Sequence, residues 1–246
     1  MPSPDHDWIV PDWLCPPTIR ALITTRHGGV SIGQYASMNL GDTVGDDPKH
    51  VRENRRQLCL HLPSAPRWLQ QIHGDAVVEA DTVTDLPMAD ASFTLKPNVV
   101  CAIRVADCLP ILLCDRNATG VGAIHAGWRG LCSGVIENTI SNMKVPPVEL
   151  VAYLGPAIGP SAFEVGEDVY SAFVDHEARA AVAFRSHKPG KWFADLFVLA
   201  RQRLNNAGVE SIFGGTLCTY SDPVRFFSHR RDKVSGRMAA LIWRTG

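Results

Sequence analysis

Between residues 101 and 143 the chain passes through three short apolar segments and then changes its hydrophobic period, and that change narrows the possible folds more than any other feature. CAIRV (101–105), PILLCD (110–115) and GVGAIHA (120–126) carry β-branched side chains and are too short for helices, so they read as buried strands. LCSGVIENTISNM (131–143) then places Leu131, Val135, Ile136, Ile140 and Met143 at helical spacing, with Gly130 before it. Both element types recur along the chain. VRENRRQLCLHL, from Val51, reads as a helix started by DDP, and ELVAYLG (149–155) as a strand. GEDVYSAFV (166–174) and KWFADLFVLARQRLNNAGV (191–209) read as helices, the second stopped at Asn206 and Gly208. MAALIW (238–243) fits a strand or a short helix. No fixed repeat runs through the chain, which argues against solenoids and propellers and for a mixed α/β domain.

With 246 residues, 46% of them hydrophobic, the chain can bury a substantial core. Its net charge of -1 creates no overall field toward nucleic acid or anionic membranes, so neither is expected as a partner. The start, MPSPDHDWIVPDW, has neither the basic nor the apolar region of an export signal, and no apolar run approaches the roughly 20 residues of a membrane span, so a cytoplasmic location is expected. The seven cysteines (15, 59, 101, 108, 114, 132, 218) form no C-x-x-C pair, which argues for reduced thiols packed as small core residues. Cys108 stands apart. Asp107 and Pro110 interrupt the apolar runs around it, which places it at a strand end or turn.

The stretch AIHAGWRG (123–130) sets a bulky aromatic and a fixed cation in a glycine-rich turn, where small polar residues are the rule. Two readings stay open. Backbone N–H groups and Arg129 can hold an anion at the strand end, or Arg129 can pair with an acid while Trp128 fills the core. His73, Cys108 and His125 each sit at the edge of an apolar run beside a turn residue. Two imidazoles and a thiolate suit zinc, and three protein ligands leave a fourth position for water, as catalytic zinc requires. Copper accepts the same ligands. Taken singly, each of the three also fits an ordinary structural role, and their separations match no local finger pattern, so only the fold can bring them together.

These residues belong to a longer ordered set: TTRHGGVS (24–31), NLG (39–41), VRENRRQL (51–58), QIHGDAVV (71–78), ADASFT (89–94), VADCLPILL (105–113), AIHAGWRGL (123–131), GPAIGP (155–160), FEVGEDV (163–169), KWFADL (191–196) and FFSHRRDKVSGRMAALIW (226–243). In this the chain resembles the YfiH-type laccase-domain family, once labelled polyphenol oxidases and now regarded as purine nucleoside phosphorylases with adenosine deaminase activity. The resemblance runs from about residue 20 to the C-terminus. It implies one domain over residues 1–246, with residues 1–18 as an N-terminal extension, folded as a four-layer α/β/β/α sandwich of mixed β-sheets. It also implies that His73, Cys108 and His125 are zinc ligands. One departure is visible: His229 stands where the family usually has a tyrosine before the tandem arginines.

The implied substrates are purine nucleosides, with adenosine, inosine, guanosine and methylthioadenosine as the choices, together with phosphate. Arg26, Arg129 and Arg230 are the candidates to hold phosphate. Asn39 and Gln71 are candidates to hydrogen-bond the base or ribose, with turn and core roles as the alternative. Asp107 is a candidate proton carrier or an orienter of Cys108, with a structural cap as the alternative, and Trp128 a candidate to stack on the purine or to pack the core. A monomer is favoured. Three other functions remain: a copper polyphenol oxidase, a cysteine hydrolase with Cys108 as nucleophile and His125 as base, and a binding protein without turnover. The first is weakened because no two of the nine histidines lie two positions apart, so the clustered H-x-H motifs of multicopper enzymes are absent. The usual H-x-E and P-C-x-x-C signature of zinc deaminases is also absent.

Overall fold

Strict alternation of side chains along a few strands sorts the core into layers. The computed structural model describes residues 6–246. Its strands are β1 (Ile19–Ile23), β2 (Val77–Glu79), β3 (Ala91–Thr94), β4 (Cys101–Val105), β5 (Leu109–Asp115), β6 (Val121–Ala126), β7 (Leu150–Leu154), β8 (Glu164–Gly166), β9 (Phe184–Lys188), β10 (Lys191–Ala194), β11 (Ser211–Gly214) and β12 (Met238–Arg244). Its α-helices are α1 (Pro48–Cys59), α2 (Trp128–Ser133), α3 (Val135–Met143), α4 (Glu167–Val174), α5 (Leu196–Asn206) and α6 (His229–Asp232). A six-stranded mixed sheet has the order β11-β7-β5-β6-β3-β2, and an antiparallel three-stranded sheet has the order β1-β12-β4.

On β5, Ile111 and Leu113 pack with Leu131, Ile136 and Ile140 under the helices, whereas Leu112 and Cys114 pack with Ile103, Ala240 and Ile242 of the other sheet. On β12, Met238, Ala240 and Ile242 face the six-stranded sheet, and Ala239, Leu241 and Trp243 face outward onto Leu58 of α1, Met38 and Leu40. The layers therefore run from α3, α4 and α5, through the six-stranded and three-stranded sheets, to α1. This is the expected α/β/β/α sandwich. A small sheet, β8-β10-β9, joins the helical side through Val165 and Ala194. Of the stretch read as an extension, residues 1–5 lie outside the described residues; beyond them Trp8 is buried among Leu22, Met38 and Leu58, and Ile9 bridges to Ile23.

Helix α1 starts where the sequence places its signal, with Asp47 accepting a hydrogen bond from Lys49 N and Pro48 in the first turn. Its buried Asn54 donates to Ser31 Oγ, Ser37 O and Asn39 O and accepts from Val30 N, which ties the loop before the helix to its inner face. MAALIW forms a strand.

Two expectations need correction. The helix read over 191–209 is a strand followed by a helix: residues 191–193 pair with β8 and 191–194 with β9, and Asp195 then caps α5 through Phe197 N and Val198 N. Three-strand pairing outweighs helical periodicity there. The helix read from Leu131 begins at Trp128 and is split at Gly134, whose φ of 101° is left-handed. GWRG is therefore the first turn of α2 and not a loop. Among the described residues, no helix is long and apolar enough to cross a membrane.

Candidate active site

Antiparallel pairing places the chemistry at one end of the large sheet. In the β5–β6 ladder Leu109 lies opposite Ala126 and Pro110 opposite His125, so Cys108, in the bend just before β5, reaches the end of β6 beside His125. On the other flank, β3 pairs with β6, and His125 N donates to Asp90 O at 2.7 Å, just ahead of the first residue of β3. His73 arrives from the loop before β2, in the left-handed region at φ 61°.

The ligand atoms of His73, Cys108 and His125 all lie within 4.8 Å of one another, and the three can hold a metal ion. The rings of His73 and His125 meet edge to face with centroids 4.9 Å apart. His125 is buried, Cys108 half-buried and His73 exposed, so the cluster opens outward on the His73 side. The space between the ligands depends on Gly127. A Cβ there would stand 3.1 Å from His73 Cδ2, 3.2 Å from Cys108 Sγ and 3.8 Å from His125 Cε1. The donor set and this glycine-made gap both fit a bound metal ion.

The electrostatics of the trio are coupled. Burial pushes the Cys108 thiol up, but the charge and hydrogen bonds of His125, then those of His73, outweigh it and bring the pKa down to about 6. Burial works against charge on His125 as well, yet Cys108 and Asp90 raise it to about 9. Between about pH 6 and 9 and without a metal, these shifts favour a thiolate beside an imidazolium, the state that a cysteine nucleophile requires.

Asp107 lies next to Cys108 at φ 89° and is almost fully buried. Its Oδ1 accepts from Thr219 Oγ1 at 2.6 Å and its Oδ2 from Arg230 N at 2.6 Å, so the carboxylate clamps the Cys108 bend to the loop carrying α6. The Arg230 side chain donates to Glu164 O at 2.8 Å and stacks on Phe163. Arg26 is engaged with Ala36 O and Pro223 O, both at 2.9 Å, and lies over the Phe227 ring. Asn39 is buried and turned onto its own loop, donating to Gly41 O and Asp46 and accepting from Gly41 N and Arg237 N. Gln71 closes onto the edge of β4, donating to Arg104 O and accepting from Arg104 N, both at 2.8 Å. Arg129 is exposed on the first turn of α2 with its guanidinium 4.4 Å above the half-buried Trp128 ring. Among the described residues no acid pairs with Arg129, and Trp128 packs against the core.

Three residues given no role from the sequence matter here: Asp90, Gly127 and Arg237. Asp90 sits in ADASFT as an acid between small apolar residues at the start of a strand, a readable signal for a buried carboxylate. Burial lowers the pKa of Arg237, while Cys108 and Asp107 attract its charge and place it in the field of the site.

Comparison with known proteins gives a consistent picture. The family model described as "Multi-copper polyphenol oxidoreductase laccase" matches residues 20–245. The chain is 52% identical over 237 residues to "Purine nucleoside phosphorylase PA4543" of Pseudomonas aeruginosa, covering 96% of this chain and 98% of that protein. It is 52% identical over 241 residues to "Purine nucleoside phosphorylase YfiH" of Escherichia coli strain K12, again covering 96% and 98%. The crystal structure of Neisseria meningitidis protein NMB0706 superposes with a TM-score of 0.95 at 51% identity, covering 98% of this chain and 100% of that one. With so continuous a match in both sequence and fold, the chain belongs to the family described as multi-copper polyphenol oxidoreductase laccase, which includes the YfiH proteins.

Proposed function

We propose that the chain is a zinc-dependent purine nucleoside phosphorylase that also deaminates adenosine, with His73, Cys108 and His125 as the metal ligands. The observation that carries this reading is the convergence of two imidazoles and a low-pKa thiol, in a chain whose close relatives bear the name purine nucleoside phosphorylase. Zinc held there supplies a Lewis acid for a substrate oxygen or for water.

Phosphorolysis breaks the bond between the anomeric carbon and the purine nitrogen and joins that carbon to a phosphate oxygen. The bonding electrons leave with the base, which takes up a proton. Phosphate therefore needs cationic donors beside the ligands. Arg129 is the first choice, because it stands two residues past Gly127 and among the described residues its guanidinium makes no hydrogen bond. Arg230 and Arg26 keep part of their donor forks and serve the same anion, and Arg237 adds positive charge next to Cys108. Asp107 orients the Cys108 bend. Asn39 and Gln71 act indirectly, the first by shaping its loop and the second by securing β4, and Trp128 packs the floor under Arg129. In deamination, water enters and ammonia leaves at the purine carbon bearing the amino group, which uses the same ligand trio.

The test quantifies metal in protein purified without added metals and then incubates it with adenosine, with and without phosphate, resolving the products by chromatography. Near-stoichiometric zinc, with phosphate-dependent adenine and with inosine, both abolished in Cys108→Ala, is the expected result. Copper with phenol oxidation would replace this reading with the oxidase. A metal-free protein that leaves nucleosides untouched would replace it with the cysteine hydrolase.

A further inference from the structure

We infer that Asp90 is a positioning residue that sets both histidine ligands at once, an inference that rests on the metal site proposed above. Asp90 has no exposed surface and sits at the head of β3, directly across the ladder from His125. Its Oδ1 accepts from His125 Nδ1 at 2.7 Å and from His73 N at 2.9 Å. Its Oδ2 accepts from Gly74 N at 2.7 Å and from Ile72 N at 3.1 Å. Four donors thus fill the roughly four acceptor sites of one ionised carboxylate.

Each contact has a consequence for a ligand. With its Nδ1–H given to Asp90, His125 keeps Nε2 as the ring nitrogen whose lone pair is free for a metal ion. The three consecutive amides at 72–74 converge on the carboxylate as an anion-binding nest, and the left-handed residue that makes the convergence is His73 itself. Asp90 N also donates to Ala76 O at 3.0 Å, which closes the loop from its other end. The loop is pressed from outside as well: the Gly74 carbonyl oxygen lies 2.5 Å from where a Cβ on Gly130 would stand, so α2 fits only because Gly130 has none.

A purely structural anchor would not need a carboxylate. Asparagine in the same place has one acceptor oxygen and an NH2 group, so it faces at least one of the four donors with another donor. No Lys or Arg pairs with Asp90 in compensation among the described residues, and a buried carboxylate satisfied only by N–H groups is costly unless its charge is used. Here it is used on the imidazole.

The experiment compares wild type with Asp90→Asn in zinc affinity, by competition with a chromophoric chelator. The same pair is compared in the visible spectrum of the cobalt(II)-loaded protein and in amide hydrogen exchange of the metal-stripped protein. In Asp90→Asn zinc binding is expected to weaken by about 10–100-fold, the usual scale for a hydrogen-bond partner of a metal-bound histidine. The cobalt bands are expected to change and exchange at residues 72–74 to accelerate. Wild-type zinc affinity and an unchanged cobalt spectrum in the variant would overturn the inference while leaving the metal site intact. A wild-type protein that takes up neither zinc nor cobalt would overturn the metal site and this inference with it. If the variant does not fold, the wild-type protein still decides: stripped of metal, it is expected to protect the amides of Ile72, His73 and Gly74, and rapid exchange there would overturn the role of Asp90.

Discussion

Cys101 opens β4 and Cys108 lies in the bend after it, so the two thiols bracket one strand, the first buried and the second half-buried. Their acidities diverge. Burial in the apolar space between the sheets pushes Cys101 up to about 12, whereas Cys108, also penalised by burial, is brought down to about 6 by His125 and His73. Depth alone therefore does not decide what a cysteine does; the neighbours supplied by strand register do. Cys101 pairs across the ladder with Ile242, and Cys108 lies one residue before the Leu109–Ala126 pair and two before Pro110–His125.

The comparison can be broken most directly by removing each thiol. Cys108→Ala is expected to lose phosphorolysis entirely, with zinc affinity down by more than about a hundredfold, since losing a ligand exceeds losing a ligand's partner. Cys101→Ala is expected to keep both functions and to lose about 1 kcal/mol of stability for the small void it leaves. Metal content, turnover and thermal unfolding check the pair, and retained zinc in Cys108→Ala would end the argument. Alkylation sharpens it. In metal-stripped protein at pH 7 Cys108 is mostly thiolate and Cys101 only about one part in 10⁵, so iodoacetamide followed by peptide mass analysis is expected to label Cys108 first, with added zinc blocking it.

Proton competition is the next effect in size. Zinc takes His125 without its extra proton, and that proton is bound below about 9 in the metal-free protein. Zinc affinity should therefore fall about tenfold for each pH unit from 9 down to 6, and more steeply below about 6, where Cys108 also takes up a proton. Chelator competition across this range that shows a flat profile would remove the thiolate–imidazolium pair. The smallest effect is expected in Gly127→Ala. Its backbone, at φ -64°, accepts alanine, but the new Cβ would press on His73 Cδ2 and Cys108 Sγ, so zinc affinity should drop a few-fold with the unfolding temperature nearly unchanged.

Much of the sandwich was legible because its central strands announce themselves. Residues 101–105, 110–115 and 120–126 match β4, β5 and β6 to within a residue, since short β-branched runs between turn residues admit few other forms. Residues 191–194 were misread because KWFA followed by an amphipathic run has helical periodicity, while its two strand partners lie elsewhere in the chain. The three candidate ligands were nameable one at a time, but their convergence depends on the β5–β6 register, which no local pattern encodes. Asp90 went unread for a related reason. An acid between Ala89 and Ala91 signals a buried carboxylate but not its partners, and its four donors come from a loop 16 to 18 positions back and a strand 35 positions ahead.

The candidate ligands differ in what carries them: His125 belongs to a central strand, Cys108 to a bend clamped by Asp107, and His73 to an exposed loop. Two of the three are thus held by the sheet and its clamp, while the third depends on a loop whose order comes from hydrogen bonds to one carboxylate, Asp90, and not from strand pairing. A metal ion held there would draw its attachments from elements of unequal strength, and its release would be most sensitive to opening of residues 72–74.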